Sequence, residues 1–428
     1  MKYYSTRDKS KSHPFNLADA AFAGLAPDGG LFMPERIPVV DMARVEAEAA
    51  KSYADMACYL AGLLFDDVSA ADLERVVRDA YDFPIELHQI AENYSTLELF
   101  HGPTYAFKDF GARFMGRMIG LLNNGGPLTI LTATSGDTGS AVAHGFYDVE
   151  GVRVVILYPE GKVSPLQEAQ MTTLGKNIYP LRVNGNFDDC QRLVKAMFCN
   201  EELRSQVRIT SANSINLLRW IPQSFYYFYG YCAWKNMTGR DMPVVVVPSG
   251  NYGNLTAGML ARSMGLPIKG FVAASNANDV VPKFLLTEKY CPRASVRTLA
   301  NAMDVGDPSN FERMMALCGG DVAALKGVVK GFSCSDDEIM AAINEIYERY
   351  DYLSDPHSAV GYLASKHYGV DGFWLSTAHA AKFSEVTKAA TMQDASLPDK
   401  LSAMLDKQRS FEPMEAEDGA LVDYLRRL

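Results

Sequence analysis

The chain has 428 residues, 48% of them hydrophobic and 21% charged, which is enough to bury a sizeable core and too many for one compact unit. Its formal net charge of -10, with 41 Lys and Arg scattered along the chain, supplies no basic footprint, so neither nucleic acid nor a membrane surface is an expected partner. Seven widely spaced cysteines without a Cys-x-x-Cys pair read as reduced thiols of a cytoplasmic protein.

The opening Met1 to Asp8 is polar and charged, so no signal peptide is expected, and no apolar run approaches the ~20 residues of a membrane helix. Apolar positions recur at spacings of three and four over Asp41 to Leu63 and Ala70 to Tyr81, which predicts a mainly helical N-terminal domain across residues 1–95. From about Leu97 short aliphatic runs end in Gly-rich or Ser/Thr-rich turns ahead of helical patterns. That alternation predicts an α/β region over residues 96–390, with a smaller subdomain at about 110–235. Strands are predicted at Leu128 to Leu131, Val154 to Leu157 and Val244 to Val247, nearly unbroken apolar series that suit parallel sheets covered on both faces. The aromatic run Phe225 to Tyr229, with Tyr231, is expected to be a core helix, and residues 391–428 a tail whose stretch from Asp394 is helical and carries no chemistry.

Ligands of open α/β sheets sit at the carboxyl ends of strands, and the polar loops of this chain fall there. Lys108 lies among Tyr105, Phe107 and Phe110, where partial desolvation would lower its pKa and make a better amine nucleophile. Most lysines beside aromatics only lay their stems on them. After the first strand, Thr134, Ser135, Asp137 and Thr138 lead into a helix, a cluster suited either to binding a carboxylate or to plain N-capping. After the third, Pro248 to Gly258 combines Gly250, Asn251, Tyr252, Gly253 and Asn254 in a turn that opens a helix, a candidate phosphate cradle or an ordinary tight connection. It lacks the Walker Lys-Ser/Thr ending and the dinucleotide glycine spacing. The histidines His101, His144, His357 and His379 share no metal-ligand spacing, so no metal is expected. An amine, a phosphate cradle and a carboxylate loop together meet the needs of pyridoxal phosphate acting on an amino acid.

With these motifs, and with His101 to Arg117, Leu131 to Tyr158, Lys162 to Leu174, Ser211 to Asn216, Asn301 to Asp304 and Thr377 to Phe383, the chain resembles the threonine synthase family over nearly its whole length. The resemblance implies the tryptophan-synthase-β-like (fold type II) architecture of pyridoxal-phosphate enzymes, two open-sheet α/β domains with the cofactor between them, preceded here by the helical domain. It implies that Lys108 holds pyridoxal 5'-phosphate and serves as catalytic base, that Gly250 to Asn254 bind its phosphate, and that Thr377 meets the pyridine nitrogen. Thr134, Ser135 and Thr138 would bind the substrate carboxylate. For the phosphate of O-phospho-L-homoserine the residues offer Lys162 and the polar turn of Ser214 with Asn213 and Asn216, ahead of Arg113 and Arg117, each basic residue being otherwise a solvated surface charge. Asp137 stands where the wider superfamily often has an asparagine facing the cofactor's 3'-oxygen, and an aspartate there repels a phenolate unless a proton is shared. Ala380 replaces a more typical proline. The implied activity is conversion of O-phospho-L-homoserine and water to L-threonine and phosphate, with a phospho-lyase yielding 2-oxobutanoate, or an inactive relative, as alternatives. A monomer is preferred over a dimer.

Overall fold

The computed structural model describes residues 1–428. At its start Tyr3–Ser5 pairs antiparallel with Phe32–Pro34. The stretch from Asp41 expected as a continuous helix is divided into Met42–Ala49 and Tyr53–Leu64. Ser52 divides them: in extended backbone, its hydroxyl accepts the Asp55 N–H at 3.0 Å and restarts the chain as an N-cap. Ala70–Ala80 follows, with Leu73, Val76, Val77 and Ala80 buried along one face.

Two larger sheets carry the rest. A five-stranded parallel sheet has the order Glu412–Glu415, Ile178–Asn184, Val152–Pro159, Leu128–Ala133, Ile209–Thr210. A six-stranded sheet has the order Val329–Ser333, Gly270–Ser275, Val244–Pro248, Gly372–Ser376, Tyr94–Glu98, Glu86–Ala91, parallel except for the last strand. The predicted strands are all present, two in the first sheet and Val244–Pro248 inside the second. Leu128–Ala133 is buried at every position, as an apolar run with helices on both faces requires. Glu86–Ala91 and Tyr94–Glu98 begin before the boundary expected at residue 95, yet belong to the six-stranded sheet. The aromatic helix spans Phe225–Thr238, with Phe225 to Phe228, Tyr231 and Trp234 buried, and closes on Gly239 in left-handed backbone at φ 68.

The C-terminal segment is more than the helical tail expected. Asp399–Leu405 and Asp418–Arg427 are helices, but Glu412–Glu415 between them is a parallel partner of Ile178–Asn184. Its Glu-Pro-Met-Glu sequence is mostly exposed at a sheet edge, so no apolar alternation marks it as a strand. Leu421, Tyr424 and Leu425 of the last helix pack with Leu181, Val183, Leu193 and Met197. Leu421 is fully buried, so Leu421→Ala should destabilise the five-stranded unit by roughly 2–5 kcal/mol. Urea unfolding would register this as a lower midpoint, and an unchanged midpoint would contradict the packing of the tail as a structural part of that unit.

Candidate active site

Lys108 opens the helix Lys108–Leu122, and the turn before it is stitched to the end of a strand distant in sequence. Phe107 N–H donates to Thr377 O at 2.9 Å, His379 N–H donates to Tyr105 O at 3.1 Å, and Ala106 bridges Ala378. Thr377, directly after Gly372–Ser376, is buried, and its hydroxyl makes no hydrogen bond within the protein. Its N–H donates to Ser358 Oγ at 3.3 Å, and Ser358 in turn bonds the buried Asp355. From the other side Arg219 Nη1 donates to Lys108 O at 3.1 Å. Lys108 is itself half-buried. Desolvation pulls its pKa down to about 8, with Arg219 and Lys382 adding to the fall and Asp137 opposing it.

The strand Leu128–Ala133 delivers the hydroxyl loop. Thr134 Oγ1 is turned inward, accepting the N–H groups of Gly136 at 2.9 Å and Gly139 at 2.8 Å, so it shapes the loop. Gly136 has φ +144 and its hydrogen faces Gln167, where a Cβ would meet Oε1 at 2.4 Å. Ser135 and Thr138 are half-buried with side chains unpaired in the protein, beside the start of the helix Asp137–Gly145. Those two hydroxyls and the first N–H groups of that helix are the donors a carboxylate needs.

Asp137 has a partner that the sequence did not reveal. Lys382 Nζ, with a fully buried side chain, lies 2.7 Å from Asp137 Oδ1 and donates to Thr104 O at 2.8 Å. Gln167 Nε2 donates to the same carboxylate oxygen at 2.9 Å. Burial opposes ionisation of Asp137, but Lys382, Lys108 and Gln167 outweigh it and hold the carboxyl well below its usual range. The repulsion expected between this aspartate and a phenolate is therefore offset by an ammonium within the pair.

The loop after Val244–Pro248 has the features of an anion cradle. The N–H groups of Gly250, Asn251, Tyr252, Gly253 and Asn254 find no acceptor in the protein. Tyr252 adopts left-handed backbone at φ 61, which turns the loop into the helix Gly253–Ser263. A Cβ at Gly250 would meet Met303 Cα at 2.6 Å, so the turn Asn301–Met303 presses directly on the loop. Asn254 Oδ1 accepts the hydroxyls of Tyr226 at 2.6 Å and Tyr227 at 2.7 Å, while its buried Nδ2 is unpaired. Tyr226 also packs edge-on against Phe110 of the Lys108 helix, centroids 5.3 Å apart, which ties cradle to amine.

The expected substrate-phosphate residues part company. Lys162 is exposed and unpaired, free to swing toward an anion. Ser214 lies under the cradle, where its Oγ accepts Asn251 Nδ2 at 2.8 Å. Asn216 has no donor to spare: it is fully buried, its Nδ2 bonds Ala21 O at 2.8 Å and Ser211 O at 3.2 Å, and its Oδ1 caps Leu218 N–H. Arg113 faces the N-terminal domain, with Nη2 on Asp79 O at 2.7 Å and Asp82 Oδ1 at 2.8 Å. Asn216 has both side-chain hydrogens engaged, and Arg113 commits its Nη2 to the N-terminal domain while its buried Nε is unpaired. Glu86, Glu98 and His101 bring ligand atoms within 4.8 Å of one another, but Glu98 already bonds His101 and Tyr352, and Glu86 is exposed.

Comparison with known proteins bears on this site. The family pattern described as pyridoxal-phosphate dependent enzyme matches residues 85–371, threonine synthase N terminus matches 2–81, and threonine synthase, C-terminal matches 358–425. Threonine synthase of Serratia marcescens is 41% identical, with 100% of both chains covered, and that of Escherichia coli (strain K12) is 42% identical over 98% of each. The crystal structure of pyridoxal-phosphate-bound threonine synthase from Brucella melitensis superposes with a TM-score of 0.93 at 35% identity, covering 100% of this chain and 99% of that one. The residues present fit the same cofactor: a depressed amine at Lys108, a run of unpaired N–H groups, the orphaned Asn254 Nδ2 and the free Thr377 hydroxyl.

The neutral Lys108 amine prevails above its pKa, so acylation of Lys108 in cofactor-free protein should rise with pH through a midpoint near 8 and then level off. Lys382→Met removes a repelling cation and leaves Asp137 unpaired, and both changes favour the ammonium form. The midpoint should therefore move upward, measured by mass spectrometry of the Lys108 peptide after brief acetylation across pH.

Proposed function

This chain belongs to the threonine synthase family of pyridoxal-phosphate enzymes, and on that premise we propose that it converts O-phospho-L-homoserine and water to L-threonine and phosphate, with Lys108 at the reacting carbons. The observation that carries the reading is the meeting of the depressed Lys108 amine with the unpaired N–H loop at 250–254 and the hydroxyl loop at 134–138.

Pyridoxal phosphate, when bound, supplies an electron sink for the charge left as protons leave the substrate's α and β carbons. Lys108 would hold it covalently, Gly250 to Asn254 would bind its phosphate, and Thr377 would offer its ring nitrogen an uncharged hydroxyl. A hydroxyl, unlike a carboxylate, does not require that nitrogen to be protonated, which restrains side reactions. Asp137 with Lys382 would face the 3'-oxygen as a neutral pair. Ser135 and Thr138, with the helix start shaped by Thr134, would take the substrate carboxylate, and Lys162, with Ser214 beneath the loop, the leaving phosphate.

With the substrate amine in the site, Lys108 Nζ would be free to act as a neutral base. It would take the proton from Cα, give that proton up, and then take one from Cβ, so that phosphate departs from Cγ. Cγ is reprotonated, water adds at Cβ, and Cα regains its proton from Lys108. The atoms balance: one water enters, and one phosphate and one threonine leave. The thiols of Cys190, Cys232 and Cys334 are buried and unpaired, which fits a cytoplasmic setting. The assembly we propose is a monomer, for which light scattering of the purified protein should return 47.1 kDa.

Incubation with pyridoxal phosphate and O-phospho-L-homoserine should release phosphate and threonine in equal amounts, with the rate falling at least ~10³-fold in Lys108→Ala. Phosphate matched by 2-oxobutanoate would move the assignment to a phospho-lyase, and no phosphate release would refute both. Thr377→Val should keep cofactor absorbance while lowering turnover, because the ring nitrogen loses its partner and the phosphate cradle stays intact.

A further inference from the structure

Beneath the 250–254 loop lies a cation without a counter-ion. Arg313, on the helix Phe311–Leu317, is fully buried. Its guanidinium donates to Ser214 O at 2.7 Å, Ile215 O at 2.6 Å, Asn310 Oδ1 at 2.8 Å and Phe32 O at 3.4 Å. It lies 4.4 Å from the Trp220 ring centroid, and its Nε is unpaired. Every acceptor is uncharged. The adjacent carboxylate, Glu312, is turned to Arg7. Charges this deep are ordinarily paired, because burying an ion alone is costly. Desolvation pulls the Arg313 pKa down to about 9, and the neighbouring Glu312 carboxylate, which makes no ion pair with it, offsets only part of that fall.

The acceptors lead to the loop. Ser214, whose carbonyl binds Arg313, receives Asn251 Nδ2 at 2.8 Å and Asn310 Nδ2 at 3.1 Å on its hydroxyl. Asn251 Oδ1 accepts Ser309 N–H at 2.7 Å, and a Cβ at Gly253 would meet Ser214 Cβ at 2.9 Å. No lysine or arginine side chain bonds the loop itself. Its helix start supplies about half a positive charge, whereas a phosphate monoester carries about -1.5 to -2 at neutral pH. The deficit is about 1 to 1.5 unit charges, most of which the single charge of Arg313 would meet.

We propose that Arg313 is the fixed counter-charge of the cofactor phosphate, a positioning residue that braces Ser214, Asn310 and Asn251 under the loop and makes the site selective for a dianionic 5'-phosphate. This rests on the reading of residues 250–254 as the cofactor's phosphate loop. The buried charge is desolvated in advance, so it acts on the phosphate through low-dielectric protein without touching it.

Cofactor-free wild type, Arg313→Met and Arg313→Lys are titrated with pyridoxal 5'-phosphate and with pyridoxal, following the absorbance of bound ligand. Arg313→Met should weaken pyridoxal phosphate at least about tenfold, equal to about 1.4 kcal/mol, and leave pyridoxal within about twofold, with Arg313→Lys between. Equal weakening of both ligands, or of neither, overturns the proposal. Wild type that binds pyridoxal as tightly as its phosphate would instead overturn the loop reading beneath it. Phosphorus NMR of the wild-type holoenzyme needs no variant: the bound phosphate should stay dianionic well below its ordinary pKa of about 6, and an unshifted titration sinks the idea.

Discussion

The two backbone hydrogen bonds between the Lys108 turn and the segment after Gly372–Ser376 set the position of the Lys108 amine. Through them Lys108 and Thr377 become neighbours, although one opens a helix early in the α/β region and the other ends a strand near its close. Backbone bonds suit this purpose because they fix chain position without depending on side-chain rotamers. Asp109, fully buried, strengthens the turn by accepting the N–H of Thr104 at 2.8 Å and its hydroxyl at 2.7 Å.

Around that centre the charges are arranged for anions. Lys108, Lys382, Arg219 and Arg313 are cations within or against the site, and Asp137 is the carboxylate held firmly ionised among them. Burying a lysine with an aspartate is costly unless the remaining donors and acceptors are filled. Here Thr104 O takes a further hydrogen of Lys382, and Gln167 Nε2 donates a further bond to Asp137 Oδ1. The pair is thereby a neutral, oriented element, and the excess of positive charge is left for the phosphate and carboxylate groups of the ligands.

Much of this was legible in the residues because chemistry and local pattern coincide. The unbroken valine run at 244–247 marks a doubly covered strand, and the Gly250 to Asn254 turn after it has the composition that an exposed row of N–H groups needs. Other features left no local trace. The strand Glu412–Glu415 lacks alternation because a sheet edge leaves it mostly exposed. The break at Ser52 is visible as a capping residue, but apolar periodicity continues through it and masks it. Asn216 and Arg113 look like free donors in the sequence, and only the positions of Ala21 O, Ser211 O, Asp79 and Asp82 show the amide of Asn216 engaged and Arg113 Nη2 held by the N-terminal domain.

The sequence by itself determined the α/β class and the polar loops at strand ends, since these follow from residue type and short-range spacing, while the family and the part of Lys108 came from the resemblance of its motifs. Tertiary structure decided which charge meets which. Nothing in the local sequence marks Lys382 as the partner of Asp137 or Arg313 as a cation buried on carbonyls. Electrostatic energy depends on distance and dielectric, neither of which is a property of the chain order, so those roles exist only once the sheets and the N-terminal domain have packed.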